Sequence, residues 1–261
     1  MLWLALQFPR LGLEVWRQSD LSETSAPPRP IVLLEDNRVV LCDDTAMQTG
    51  IQHGATLATA HSIAGDLAHH HRDEVREERR LRFIADTLYR FSAQVSLAPP
   101  DALVLEIGGS LALFSNDEIP DEAFDGTEAL VGEIRTLCES LGHEVCWQLA
   151  STSGAALVLA SAGVRRLEDV PLVHARLPGA ARHLERLANM GLKTLGALFE
   201  LPDVELGRRV GPEIVGYLAR LTGRAPDTKE FIEPLALFDE ALHLLEPVKD
   251  KETLFSQNGA A

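Results

Sequence analysis

The sequence lacks the features that mark disulfide-rich, zinc-binding and membrane-spanning proteins. Its 261 residues contain three cysteines, and no Cys-x-x-Cys pair occurs among them, which excludes a disulfide framework or a zinc ribbon as the basis of the fold. No run of apolar residues reaches the roughly 18 that cross a bilayer. We therefore expect a cytoplasmic protein with no membrane contact, whose thiols are buried.

Basic residues are also scarce. The chain has 24 Lys and Arg against 39 Asp and Glu, which gives a net charge of −15. Taken whole, this balance argues against a general nucleic-acid binder, because such domains are usually basic. The exception is residues 161–224, where ten basic side chains stand against seven acidic ones. We expect contact with DNA phosphates to concentrate in that segment.

The sequence offers little for a metal ion or a cofactor. The run His69-His70-His71, flanked by Asp66 and Asp73, is its densest group of metal-ligating side chains. Consecutive side chains on a strand or loop point in divergent directions. We interpret the run as a solvated polar segment, and we predict no metal and no cofactor.

What is present is organised around the stretch from Asp101 to Phe114. Its first half has the apolar character of a buried strand, and Gly108-Gly109 marks a turn into a second strand. A nucleotidyl-transfer palm needs such a strand to present neighbouring carboxylates to two metal ions about 3.5–4 Å apart. Here Asp101 is followed by Ala102. The stretch therefore resembles the frame of a polymerase palm without its metal site.

The elements around this stretch predict an α+β fold with a ferredoxin-like palm that is interrupted by an insertion. An apolar strand from Leu2 to Phe8 ends at a proline. Two short strands with an Asp36-Asn37 turn between them then begin the insertion. The further elements are recognised by their apolar spacing and follow in the order helix 72–91, strand pair 103–114, helix 127–141, strand 144–150 and helix 153–162.

The third quarter of the chain predicts an all-α unit with a helix-hairpin-helix. Two helical stretches between Leu184 and Leu198 flank the turn Gly191-Leu192-Lys193-Thr194. Such a hairpin offers backbone N–H groups to one phosphate, and a basic side chain adds charge. An ordinary helical turn is the alternative interpretation. The candidate DNA-binding residues are Gly191, Lys193, Thr194, Gly196, Arg208 and Arg209.

Together, these segments resemble the Y-family DNA polymerases, specifically the ImuB branch of polymerase-like proteins in bacterial damage-induced mutagenesis. The resemblance covers about residues 1–224 and includes Gly50-Ile-Gln-His-Gly54 and Gly108-Gly-Ser-Leu-Ala-Leu-Phe114. It rests on the order of the segments rather than on one motif. The resemblance implies a palm (1–30 and 72–163), a fingers insertion (31–71), a helix-hairpin-helix thumb (164–224), and a linker with the start of an incomplete little-finger domain (225–261).

Carried over residue by residue, the resemblance implies a degenerate metal site. With Glu14 matched to the glutamate of the family's opening motif, the metal-binding aspartate of the first strand corresponds to Ala5. The adjacent acids of the palm correspond to Asp101 and Ala102. Glu106 lies too far along the strand to replace them. We expect Ala5→Asp with Ala102→Glu to restore metal affinity without primer extension.

The resemblance also implies that the triphosphate site is degenerate. The family's tyrosine and arginine in the fingers correspond to Asp44 and Met47, and its palm lysine corresponds to Leu157. Two of these side chains carry no charge, and Asp44 repels phosphate. The sequence therefore predicts neither catalytic nor nucleotide-binding residues.

The function implied by the resemblance is that of a non-catalytic protein that holds DNA and partner proteins in DNA repair, damage-induced mutagenesis (the SOS response) and translesion synthesis. An active error-prone translesion polymerase and a phosphate-binding α+β domain unrelated to DNA are the alternatives. The implied partners are damaged or primer–template DNA, a sliding clamp, an error-prone replicative-type polymerase and a RecA-like accessory protein. Because the family continues beyond the thumb, we expect weak DNA binding and no clamp binding by this chain alone.

Overall fold

The computed structural model of the chain describes residues 1–19, 29–114 and 126–233. Three predicted features lie wholly or largely outside these residues: the Pro-containing loop from Ser19 to Pro30, the acidic loop from Asn116 to Gly126, and the linker and first little-finger strand beyond residue 233.

Within the described residues the chain forms seven β-strands and ten α-helices. The strands are β1 (Trp3–Gln7), β2 (Ile31–Glu35), β3 (Arg38–Cys42), β4 (Ala68–His71), β5 (Val95–Ala98), β6 (Ala102–Glu106) and β7 (Cys146–Ala150). The helices are α1 (Leu11–Ser19), α2 (Asp44–Gln48), α3 (Leu57–Ile63), α4 (Glu74–Leu88), α5 (Gly126–Ser140), α6 (Ser153–Ala162), α7 (Ala180–Asn189), α8 (Leu195–Phe199), α9 (Asp203–Arg209) and α10 (Pro212–Leu221). In the described ranges, every helix is too short or too polar to cross a membrane.

A four-stranded antiparallel sheet with the order β5-β6-β1-β7 forms the centre of the fold. In chain order, α4 precedes β5 and β6, and α5 lies between β6 and β7. The sheet therefore has the order strand, helix, strand, strand, helix, strand. This order places β1 and β6 side by side in the middle, as in a ferredoxin-like sheet. The insertion predicted between β1 and α4 is present.

One predicted strand is wrong. The stretch after Gly108-Gly109 is a 3₁₀ turn, Leu111–Leu113, instead of the second strand of a hairpin. The strand that forms a hairpin with β6 is β5, which precedes it and was missed. The carboxylate of Glu106 explains the turn, because it accepts hydrogen bonds from the backbone N–H groups of Gly108 and Gly109, each at 3.2 Å. These bonds hold the chain in a tight reversal instead of an extended strand.

The two faces of the sheet pack in different ways. Leu103 and Leu105 of β6 face a large apolar core that α4 and α5 complete. The opposite face bears Ala5 and Val104, and α6 covers it. Small side chains on both partners, such as Ala156 on α6, allow this helix to lie close to the strands.

Residues 31–71 form a separate small α+β unit. Strands β2 and β3 make the predicted hairpin, and β4 joins β2 in parallel. The turn residues Asp36 and Asn37 both have positive φ values, 47° and 61°, which is the backbone of a type I′ turn. The hairpin prediction is therefore confirmed. A core that includes Val32, Leu34 and Ala60 holds α2 and α3 against this sheet.

Helices α7–α10 form a helical unit with its own apolar core. Leu187, Leu206 and Ile214 are among its fully buried side chains. The unit is joined to α6 because Thr152 Oγ1 donates to the carbonyl of Leu221 at 2.8 Å. Helices α7 and α8 agree with the two helical stretches predicted between Leu184 and Leu198, although α7 begins earlier than expected.

Candidate functional site

The end of β1 and the start of β6 lie side by side, because the two strands are antiparallel. In this register Gln7 lies opposite Ala102, and Ala5 lies opposite Val104. Gln7 and Ala102 are both buried, with 8% and 0% of their surface exposed. These strand ends are where the resemblance places the family's metal site, which it implies is degenerate in this chain.

The structure places Ala5, which the resemblance matches to the family's first metal ligand, opposite Val104 rather than Ala102. Ala5 is fully buried beneath α6, two residues inside the strand, whereas Gln7 lies opposite Ala102. The match that selected Ala5 rested on Glu14, whose carboxylate accepts from the backbone N–H of Glu144 at 2.9 Å. The end of the apolar strand just before Phe8 is visible in the sequence, and it could have indicated Gln7.

Arg176 fills the space beside Asp101, and sequence reasoning missed it. Its guanidinium donates to Gln7 Oε1 at 3.1 Å and to Asp101 Oδ1 at 3.4 Å. It also donates to the carbonyls of Ala98 at 3.4 Å and Pro99 at 3.2 Å. A monovalent side-chain cation therefore neutralises the one carboxylate that the predicted metal site retains.

The chain segment before α7 positions Arg176. The φ of Arg176, 47°, is a left-handed conformation that few residues other than glycine adopt. The preceding carbonyl, that of Ala175, accepts a hydrogen bond from the hydroxyl of Tyr217 on α10. Burial raises the pKa of Tyr217, which keeps this hydroxyl a neutral donor. The helical unit is thereby connected to the end of β1 and the start of β6.

Glu106 has a structural contact in place of a catalytic one. Besides the two glycine N–H groups, its carboxylate accepts from the backbone N–H of Leu2 at 3.1 Å. A Cβ atom at Gly108 would lie 2.8 Å from Glu106 Oε1 and 3.1 Å from the nitrogen of Leu2. The carboxylate therefore caps a turn in which a side chain at residue 108 would have to displace it.

The residues at the predicted triphosphate positions lie on two elements. Asp44 and Met47 are on α2, and Leu157 is on α6, where it packs against the buried face of the sheet. Asp44 forms an ion pair with Arg10, whose guanidinium also lies 3.4 Å from Glu144. The hydrogen bond between Arg10 and Asp44 lowers the pKa of Asp44 and raises that of Arg10. Arg10 is a second basic residue that sequence reasoning missed.

The predicted DNA-binding hairpin lies between α7 and α8. Gly191 has a φ of 79° and ends α7, and Thr194 caps α8 by accepting from the N–H of Ala197. The N–H of Leu195 donates to the carbonyl of Val170 at 2.9 Å. A Cβ atom at Gly196 would lie 2.8 Å from the backbone oxygen of Glu168, so Gly196 allows close packing of two chain segments.

Apart from Arg176, the basic side chains of residues 161–224 fall into two groups. In the described part of the chain, Arg166, Arg182, Arg209 and Arg224 each form an ion pair with a carboxylate. A second group is exposed and has no such carboxylate among the described residues: Arg165, Arg186, Lys193, Arg208 and Arg220. The side chains of the second group are therefore available to an external anion. Lys193 and Arg208, two members of this group, are among the predicted DNA contacts.

The histidine run does not form a metal cluster within the described residues. The ring of His70 stacks on Trp16 at 4.1 Å between centroids, and that of His69 meets His61 edge to face at 5.3 Å. Neighbouring histidines thus contact different elements.

Comparison with known proteins gives relatives in sequence and in fold. No protein-family model matches the chain. Two curated proteins named ImuB, from Caulobacter vibrioides strains NA1000 and ATCC 19089, are 26% identical to it over 216 residues, which is 78% of the chain. The chain spans 44% of the length of these relatives.

Solved structures of Y-family DNA polymerases share the fold. A Y-family polymerase chimera built on Dbh superimposes with a TM-score of 0.66 at 15% identity, over 88% of this chain and 70% of the other. DinB from Sulfolobus solfataricus gives a TM-score of 0.62 at 15% identity over the same shares. At this identity the likeness concerns the fold. The chain therefore has the fold of the Y-family DNA polymerases and resembles ImuB in sequence, which confirms the resemblance recognised from its motifs.

Proposed function

We propose that the chain is a non-catalytic, Y-family-like protein that binds DNA and acts as a scaffold in DNA repair, damage-induced mutagenesis and translesion synthesis. In this proposal the four-stranded sheet with α4–α6 is the palm, residues 31–71 are the fingers, and α7–α10 are the thumb. The observation that carries the proposal is the guanidinium of Arg176 beside Asp101, where a polymerase palm would hold divalent cations.

The charges around Asp101 favour an arginine over metal ions. Two divalent ions are held by several carboxylates in such sites, and here the strand register supplies the neutral amide of Gln7 and the methyl group of Ala102. Asp101 also lines a pocket with Glu35 and Glu77, but Arg72 already pairs with both of these carboxylates. A divalent cation would also be repelled by the guanidinium that lies 3.4 Å from the carboxylate of Asp101. Removal of Arg176 would still leave neutral side chains at residues 7 and 102, so the strand pair would supply no second carboxylate beside Asp101.

The ion pair between Arg10 and Asp44 supports the same proposal. Phosphoryl transfer depends on positioning and neutralising the triphosphate. Arg10 is a cation near the predicted triphosphate position, and Asp44 and Glu144 already neutralise it. Arg17, the other arginine near Asp44, pairs with Asp43. The nearby Met47 is half-exposed and carries no charge. A nucleotide would have to break an existing ion pair and approach a carboxylate.

The exposed cations of the helical unit support DNA binding. Lys193 and Arg208 have no carboxylate partner within the described residues, and they belong to residues 161–224, where basic side chains outnumber acidic ones by ten to seven. Contacts of this kind bind phosphates without reading base sequence. The helical unit is therefore the proposed DNA-binding surface of an otherwise acidic protein.

We expect Lys193→Ala and Arg208→Ala each to weaken binding to primer–template DNA by a similar factor for every sequence. Each lost phosphate contact should lower the slope of log K against log salt by about 0.9. Arg209→Ala is the matched control. It should have a smaller effect, because Glu205 pairs with Arg209 and removes part of its charge. Fluorescence anisotropy over a salt series measures both quantities. An equal loss in all three variants would contradict the assignment.

The partners come from the resemblance and are proposals. A non-catalytic member needs another protein for synthesis, and the error-prone replicative-type polymerase would supply it. A sliding clamp would hold the assembly on DNA, and a RecA-like accessory protein would complete it. Because the chain spans less than half of its curated relatives, the surfaces for these partners need not lie within it.

Binding and primer extension on the same DNA test the proposal. We expect saturable binding to primer–template DNA, and no extension with Mg²⁺ or Mn²⁺ in the presence of all four nucleotides. Extension by the unmodified chain that Asp101→Ala abolishes would show an active translesion polymerase instead. Absence of DNA binding at low salt would favour a phosphate-binding domain unrelated to DNA.

A further inference from the structure

The two edges of the four-stranded sheet differ in what covers them. At the β5 edge, the N–H of Ile232 donates to the carbonyl of Val95 at 2.8 Å, and Ile232 is buried against the core. At the other edge, β7 pairs with β1 on one side. In the ranges that the structure describes, the main-chain groups of β7 form no hydrogen bond beyond that pairing.

Strand β7 lacks three features that commonly protect an edge, namely charged residues, proline and a β-bulge. Its five residues, Cys146–Ala150, include no charged residue and no proline. Its register with β1 runs without a bulge from one end to the other. Edge strands are normally blunted by charges, prolines or bulges, because their free N–H and C=O groups are a template for another strand. β7 is therefore able to accept a further strand.

An apolar groove of about 220 Å³ lies beside this edge, between β7 and α5. Trp147 and Leu149 line it from the strand, and Val131 lines it from the helix. Gly132 leaves it open, since a Cβ atom placed there would have no heavy atom within 4 Å. An exposed strand next to a helix-lined groove offers both main-chain bonds and seats for side chains.

The charges at the rim favour a basic partner. Glu128 lines the groove, and Arg135 on the same helix is paired with Glu139 at 3.5 Å. The remaining charge of the rim is therefore negative, as is the chain as a whole, with a net charge of −15. A partner with a lysine or arginine beside its apolar residues would be attracted to this rim, and an acidic one would be repelled.

We propose that β7 and the adjoining groove bind an extended peptide segment of a partner protein by β-strand addition. The segment becomes a fifth strand of the sheet and directs every second side chain, which is apolar, into the groove. A basic residue next to this strand faces Glu128. The site belongs to the sheet and α5, so it acts independently of DNA contact by the helical unit.

The test uses a fluorescein-labelled synthetic peptide with the sequence Lys-Val-Thr-Val-Thr-Val-Lys and fluorescence anisotropy with the full chain. We expect saturable binding, and at least a tenfold loss when alternate main-chain amides of the peptide are methylated, because methylation removes the hydrogen bonds of strand addition. Gly132→Leu fills the groove and should also reduce binding at least tenfold. Glu133→Leu, on the same helix but outside the groove, is the matched control.

A charge reversal tests the rim separately. Glu128→Lys should weaken binding of this peptide several-fold and should have little effect on a peptide with neutral ends. Glu133→Lys should have little effect on either. Binding to DNA should be unchanged in all four variants, so a failed primer–template experiment and a failed peptide experiment are distinguishable.

Three results would overturn the proposal. The first is equal binding by the methylated and unmethylated peptides, which would mean apolar adhesion. The second is undiminished binding by Gly132→Leu. The third is peptide binding that appears only after residues 234–261 are deleted, which would identify the chain's own C-terminal segment as the occupant.

Discussion

Arg176→Ala is expected to lower the free energy of unfolding by about 2–3 kcal/mol, the range for losing hydrogen bonds to a charged group. The substitution leaves four oxygen acceptors, on Gln7, Ala98, Pro99 and Asp101, without their shared donor. It also removes the positive charge that lies beside Asp101. For a chain of this size, that loss corresponds to a fall in Tm of about 4–10 °C.

A matched control separates this contact from an ordinary surface ion pair. Arg166 pairs with Glu168 at 3.4 Å, and both side chains are more than half exposed. Arg166→Ala should change the free energy of unfolding by less than about 1 kcal/mol. Arg176→Lys should be intermediate, because an ammonium group is a compact charge and cannot reproduce the planar donor arrangement of a guanidinium. Equal melting temperatures for Arg176→Ala and Arg166→Ala would contradict the structural role of Arg176.

Arg176 also explains how the helical unit and the sheet act together. The residue lies in the segment before α7, and its guanidinium donates to Gln7, at the end of β1, and to Asp101, just before β6. In Arg176→Ala we expect weaker DNA binding as well as lower stability, because the exposed cations of the helical unit would no longer be held in one orientation relative to the sheet. Loss of DNA affinity without loss of stability would mean that Arg176 itself contacts DNA.

The sequence predicted those parts of the fold that local patterns determine. The β2–β3 hairpin follows from two apolar runs around Asp36-Asn37, and both turn residues have the positive φ values that such a turn requires. Strand β5 was missed because it has only four residues and ends at two prolines. The turn after Gly108 was misread as a strand, since its conformation depends on the carboxylate of Glu106.

The candidate site could be predicted only in part. The neutral side chain of Ala102 beside Asp101 is visible in the sequence, because the two are adjacent. Arg176 is 75 residues from Asp101, and Arg10 is 34 residues from Asp44. Contacts of this kind arise when separate units pack together, so no spacing or periodicity in the sequence indicates them. Gln7 was missed for a related reason, since its position opposite Ala102 is a property of the strand register.

Ala5→Asp is expected to destabilise the protein by about 3–5 kcal/mol at neutral pH, the cost of leaving a charge buried without a partner. Ala5 is fully buried between the sheet and α6, where its neighbours are the apolar side chains of Trp3, Val104, Ala156 and Ala160. Burial would raise the pKa of the new carboxyl group above its ordinary value of about 3.9. The destabilisation is therefore greatest above that raised pKa and decreases as the pH falls toward 4.

Gln7→Asp is the matched control, and it decides where repair of a metal site could begin. The guanidinium of Arg176 lies 3.1 Å from Gln7 Oε1, so a carboxylate at this position would have a partner, and we expect a change in unfolding free energy within about 1 kcal/mol. Thermal melts at pH 4.5 and 7.5 should separate the two variants more widely at the higher pH. If Ala5→Asp melts like the wild type at pH 7.5, α6 does not cover this face in solution.

With the expected result, Ala5→Asp together with Ala102→Glu cannot supply a metal site, since the carboxylate at residue 5 is buried beneath α6. Carboxylates at residues 7 and 102 would lie together beside Asp101. There the guanidinium of Arg176 would pair with them in preference to a metal ion.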